Sequence, residues 1–189
     1  MRRLRDKDPA ASEQFRRNLE TTAQQIHSSL EQFWLDHKAK VDPNYDQRIQ
    51  ALSLLILSTE TIVPANSYVV PFQNSSDAYF TSMFDCGNMI VLGYLASTSS
   101  TTRMTNMYKR QMAVHCASVL ASAAYQKEQD PSNGGSFSTV LPLKMLCLLS
   151  PSEEQRSVGR WALRNWESGR GLTDIFEITS PTYLDRSHG

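Results

Sequence analysis

The sequence predicts an all-α fold: a single-domain bundle of six or seven helices opened by a long N-terminal helix. Apolar residues recur at three- and four-residue intervals along most of the chain, and short runs of Pro, Gly, Asn and Asp separate those stretches. The only β-rich run, around Tyr68-Val69-Val70, has no second run to pair with. Three regions follow: residues 1–40, a basic end and the long helix; residues 41–178, a helical core; and residues 179–189, a polar tail.

The first helix is expected over Asp8 to Lys40, with Phe15, Leu19, Thr22, Ile26, Leu30 and Phe33 forming one narrow stripe. A lone helix is marginal in water, so the stripe needs a partner element from this chain or another. The large residues Phe15, Leu19, Ile26, Leu30 and Phe33 are therefore the candidate self-association or docking stripe, narrow enough to pack along one partner helix. Val41-Asp42-Pro43-Asn44 breaks the helix, because proline disfavours helical geometry before it and Asp and Asn bond to nearby backbone.

A nearly buried helix follows from Tyr45 to Val63, carrying Ile49, Leu52, Leu54, Leu55, Ile56, Leu57 and Ile62, and Pro64-Ala65-Asn66 stops it. Ser67 to Asn74 reads as loop. Asp77 to Ala96 is the expected central helix, since Tyr79, Phe80, Met83, Phe84, Met89, Ile90, Leu92 and Leu95 are dense enough for contacts on several sides. The hydroxyl-rich run Ser97 to Thr102 competes for backbone bonds and marks a turn. Arg103 to Glu128 then places Met104, Met107, Tyr108, Met112, His115, Val119, Leu120 and Ala123 on one face.

Asp130 to Gly135 is the clearest loop, because Pro fixes one dihedral and two glycines permit positive ones. Phe137 to Leu149 is an apolar helix, and Ser150-Pro151-Ser152-Glu153 reads as an N-cap, a proline at the first helical position and a capping glutamate. Val158, Trp161, Ala162 and Trp166 are the expected apolar side of the last strong helix, which Gly169 terminates. Gly171 to Ile178 adds one turn before the tail.

Composition narrows the function. With 19 Lys and Arg against 19 Asp and Glu, the molecule has no net field to draw it to phosphate backbones or anionic lipid. No apolar stretch nears the ~20 residues a membrane helix needs, so no membrane role is expected. The cluster Arg2, Arg3, Arg5 and Lys7 fits a solvated end better than a localisation signal, and Asn74-Ser75-Ser76 reads as a chance glycosylation match.

Reaction chemistry finds little support. Cys86, Cys116 and Cys147 are widely separated, lie inside helical patterns and read as reduced core thiols, not zinc ligands. His115 and Cys116 are adjacent, and adjacent helical residues point about 100° apart, so they do not form a nucleophile–base pair. His27, His37 and His188 have no partner at ligand spacing. Glu153-Glu154 sit in a first helical turn where the dipole accounts for them. Asp85, among Phe84, Cys86 and Met89, is expected to be partly buried, with no second acid beside it. No catalytic residue, metal or cofactor is expected.

The order of elements carries a family resemblance. A dense helix around Phe80 to Leu95, a small-residue helix around Ala113 to Ala124, and Pro142-Leu143 are followed by Leu148-Leu149-Ser150-Pro151-Ser152-Glu153-Glu154-Gln155-Arg156 and an Arg- and Trp-bearing helix to Gly169. Over residues 75–175 this resembles the C-terminal regulatory region of fungal zinc-cluster transcription factors. The resemblance implies an all-helical, nuclear domain distal to a DNA-binding module, acting in regulation, self-association or small-molecule sensing. Three unpaired cysteines cannot build that family's six-cysteine DNA-reading cluster. The implied part is thus a fragment or free-standing relative that does not itself bind nucleic acid.

The expected function is a non-catalytic regulatory, protein-interaction domain with a protein partner or self-association, placed in the nucleus with the cytoplasm as alternative. The competing expectation is a helical enzyme or small-molecule-binding protein, or a small-molecule effector site, with a cleft between the central helices lined by Phe84, Met89, Met107 and His115.

Overall fold

The computed structural model describes residues 9–58, 72–129 and 137–167. They form six helices and no strand: α1 (Pro9–Val41), α2 (Tyr45–Ser58), α3 (Ser75–Thr98), α4 (Thr102–Gln129), α5 (Phe137–Leu149) and α6 (Glu153–Glu167). The fold is all-α and opens with the long helix, as the periodicity predicts. Among the described residues no helix is long and apolar enough to cross a membrane. The expected stop at Pro64-Ala65-Asn66, the Asp130 to Gly135 loop and Gly169 lie outside the described residues, as do the basic N-terminal cluster and the side chains of Leu54 to Leu57 and Trp166.

The sequence explains most of the helix ends. Asp42 N–H bonds Lys38 O at 2.7 Å and Tyr45 N–H bonds Asp42 O at 3.0 Å, so the Pro43-Asn44 turn is closed by backbone on both sides. α3 begins two residues before the expected Asp77, because the Asn74 side chain accepts from Asp77 N–H at 3.0 Å and donates to the Asp77 carboxylate at 3.0 Å. The Asn of the apparent glycosylation match thus serves as a helix cap.

The cap of α6 falls elsewhere than expected. Ser152, not Ser150, accepts from the third-residue N–H, that of Gln155, at 3.3 Å. Ser150 is buried, accepts Ser152 N–H at 3.2 Å and donates to Gln155 Oε1 at 2.7 Å. Gln155 Nε2 in turn reaches Ala113 O of α4 at 2.9 Å. The serine read as a local cap is part of a buried tie between the α5–α6 hairpin and α4.

α3 occupies the centre. α4 runs antiparallel along it: Ser122 Oγ donates to Ala78 O at 2.6 Å at one end, and Thr105 Oγ1 reaches Ala96 O at 3.5 Å at the other. α1 also lies antiparallel to α3, with Arg16 donating to Thr98 O at 2.8 Å and Leu30 against Gly87. α5 covers another side of α3 and hairpins onto α6. The main core joins Met89, Leu92 and Leu95 of α3 to Met112, Cys116 and Val119 of α4 and to Leu143 and Leu146 of α5. Burying that many large side chains at ~1.5–3 kcal/mol each is the principal stabilisation. A buried polar chain completes it: Thr139 Oγ1 donates to Gln126 Oε1 at 2.7 Å, and Gln126 Nε2 to Ser122 Oγ at 3.4 Å.

On α6 the expected apolar side is found in part, since Val158 and Ala162 pack against the main core. The buried line runs through Gln155, Gly159 and Leu163, whereas Trp161 is 62% exposed, with Lys127 Nζ 5.3 Å from its ring centroid.

Candidate functional site

α1 carries two apolar faces, and only one is covered. Its inner line passes through Arg16, Ala23, Leu30, Trp34 and Val41, positions that share one side at about 100° per residue. Trp34 stacks on Phe84 of α3 with centroids 4.3 Å apart and meets Tyr45 of α2 edge-on at 4.9 Å. Leu30, Val41 and Ile49 pack around those three rings. This second, smaller core fixes α1 on the bundle.

The predicted stripe divides accordingly. Leu30 turns inward, its Cδ1 3.6 Å from where a Cβ on Gly87 would sit. Phe15, Leu19, Ile26 and Phe33 turn outward and are 65%, 38%, 48% and 56% exposed. Neither the inner line nor this split follows from hydrophobic spacing alone, because both lines recur at three and four residues. The available signal was Trp34, the largest apolar side chain in α1 and one residue off the stripe.

Beneath the ring cluster lies a junction of buried polar groups. The Asp85 carboxylate is fully buried, and its Oδ1 accepts from Tyr45 Oη at 3.3 Å and lies 2.8 Å from His115 Nδ1. Asp85 Oδ2 has no hydrogen-bond partner among the described residues. Burial, with the neighbouring carboxylate, raises the Tyr45 phenol well above its ordinary range, so it stays a neutral donor. Alongside, fully buried Arg48 pairs with Asp42, which also accepts from Thr81 Oγ1 at 2.9 Å. The guanidinium carbon lies 3.7 Å from the Phe72 ring centroid. Burial lowers the Arg48 pKa to about 10, which leaves it charged at neutral pH.

The candidate cleft residues do not share one surface. Phe84 and His115 are neighbours, with ring centroids 6.1 Å apart. Met89 is fully buried in the main core, where the Cys116 thiol donates to its sulfur at 3.2 Å, and Met107 is 40% exposed. The Cys116 thiol is therefore turned to Met89, and burial pushes its pKa up to about 12. Through Tyr45, Asp85 and His115 the arrangement joins α2, α3 and α4. Among the described residues no group of three or more His, Cys, Asp and Glu is placed to hold a metal. The outer face of α1 remains as the candidate site.

No protein-family model, curated protein or solved structure matches this chain.

Proposed function

We propose that the chain is a non-catalytic regulatory domain that acts by binding protein, in the setting of a fungal transcription-factor-like protein in the nucleus. The observation that carries this reading is the outer face of α1: four large apolar side chains exposed on a helix whose adjacent face is already packed. Surface apolar residues scattered singly need no explanation, but a row of them along one helix marks a contact surface. The balanced charge supports a protein partner over nucleic acid. The transcriptional setting rests on the helical order and the Leu148-to-Arg156 turn that resemble the fungal regulatory region.

The test fuses the chain to a heterologous DNA-binding module upstream of a reporter in a fungal host. The chain is expected to change reporter output, and Leu19→Asp with Ile26→Asp to abolish that change while the thermal unfolding midpoint stays put. An inert chain, or a double variant as effective as the parent, would overturn the proposal.

A further inference from the structure

The outer face of α1 has an internal symmetry that selects its partner, and this step rests on the interaction reading above. Along it, Phe15, Leu19, Thr22, Ile26, Ser29 and Phe33 are separated by four, three, four, three and four residues. That series reads the same from either end, with its midpoint at Gln24. Alternating threes and fours are also the spacing of a helix–helix seam. We infer that α1 pairs through this face with α1 of a second copy of this chain, antiparallel, about a two-fold axis passing at Gln24.

Three features support a second copy. First, the antiparallel register opposes large to small: Leu19 meets Ser29 of the other copy, Ile26 meets Thr22, and a phenylalanine faces a phenylalanine at each end. A parallel in-register pair would instead set Thr22 on Thr22 and Ser29 on Ser29, leaving gaps beside crowded Leu and Ile pairs. The Thr22 hydroxyl already donates to Asn18 O at 2.9 Å, which leaves its methyl free for contact.

Second, the central stretch of the face is uncharged, with His37, stacked on Phe33 at 4.3 Å, and Asp36 only at its far end. No Lys, Arg, Asp or Glu occurs between Glu20 and Glu31. At about 100° per residue, Glu13, Arg17, Glu20 and Glu31 lie well round the helix from Phe15, and the side chains bordering the face away from α3 are Gln14, Asn18, Gln25 and Gln32. Along that stretch a strongly charged partner would find nothing to pair with, whereas a second copy meets no like charge.

Third, the area fits a small, transient contact between copies. The four exposed side chains offer roughly 400–500 Å² per copy, about half of the ~800 Å² per partner in a standard stable interface. The dimer is thus a weak, reversible one that forms by concentration.

The experiment uses the full chain. Sedimentation velocity over a rising concentration series should show mass doubling, lost in Leu19→Asp with Ile26→Asp at an unchanged thermal midpoint. Single-cysteine variants then read the register, the native thiols being buried. Gln25→Cys lies only about 3 Å along the axis from its copy and should form a disulfide-linked dimer under mild oxidation, while Asn18→Cys, offset by about 18 Å, should not. Equal cross-linking at both positions, or a monomer at every concentration, would overturn the inference. A monomer whose reporter effect still depends on the stripe would overturn self-pairing alone and leave the interaction reading standing. Dimerisation with an inert reporter would do the reverse.

Discussion

Two ion pairs beside the α1–α2 turn have the same chemistry and unequal consequences. Lys38 Nζ lies 2.5 Å from Asp46 Oδ2, but the Asp46 side chain is 70% exposed, so water competes for both charges. Arg48 and Asp42 are 0% and 2% exposed, and neither charge can be rehydrated without opening the fold. Removing one partner of such a pair strands the other, which costs about 3–5 kcal/mol, whereas an exposed pair contributes about 0–1 kcal/mol. Arg48→Met is therefore expected to lower the urea midpoint severely and Lys38→Ala hardly at all, and equal small losses would show that the Arg48 pair is hydrated. In the sequence Asp42 shows only as a turn former and Arg48 as a polar position of α2. A charge at a helical polar position looks solvated until the packing of Phe72 and α3 over it is known.

At the scale of elements, the α5–α6 hairpin depends on a missing side chain. A Cβ at Gly159 would lie 2.7 Å from Leu146 Cδ2 and 3.0 Å from Cys147 Sγ, and Leu146 is fully buried with no open side to retreat to. At Gly87 the nearest atom, Leu30 Cδ1, would be 3.6 Å away, an ordinary contact. Alanine is favoured over glycine in a helix by about 1 kcal/mol, while overpacking costs about 1–3 kcal/mol. Gly87→Ala should thus raise the thermal midpoint and Gly159→Ala lower it; a gain at both positions would mean that the hairpin yields freely. Among the described residues most helix ends were legible, because Pro43-Asn44, the hydroxyl run Ser97 to Thr102 and Ser150-Pro151 mark them without reference to the rest of the fold. Which face turns inward was less so. On α6 Val158 and Ala162 of the expected side do pack on the core, but Trp161 is exposed and Gln155, Gly159 and Leu163 complete the buried face, since a glycine that permits close approach and a glutamine bonded at both ends carry no hydrophobic signal. On α1 the candidate stripe was legible as a stripe, and its exposure was not, because Ala23, Leu30 and Trp34 form a rival line with the same spacing.

Across the described residues α1, α4 and α5 pack on α3, while α6 is held by α4 and α5, and the three thiols report whether the main core opens as one unit. Cys86 lies on α3, Cys116 on α4 and Cys147 on α5, all buried and none in a disulfide. Burial pushes their pKa values up to about 11, 12 and 11 respectively. The thiolate is the reactive species, so at pH 8 each group is both screened from reagent and almost wholly protonated. In the native protein all three should resist Ellman's reagent, and three equivalents should appear on denaturation. Because the main core joins these three helices, exposing one sulfur requires separating it from the others, and sub-denaturing urea should accelerate all three together. If instead Cys147 labels fast while Cys86 and Cys116 stay protected, the α5–α6 hairpin opens on its own. Thiol labelling thus tests whether α3, α4 and α5 share one transition, independently of any partner at α1.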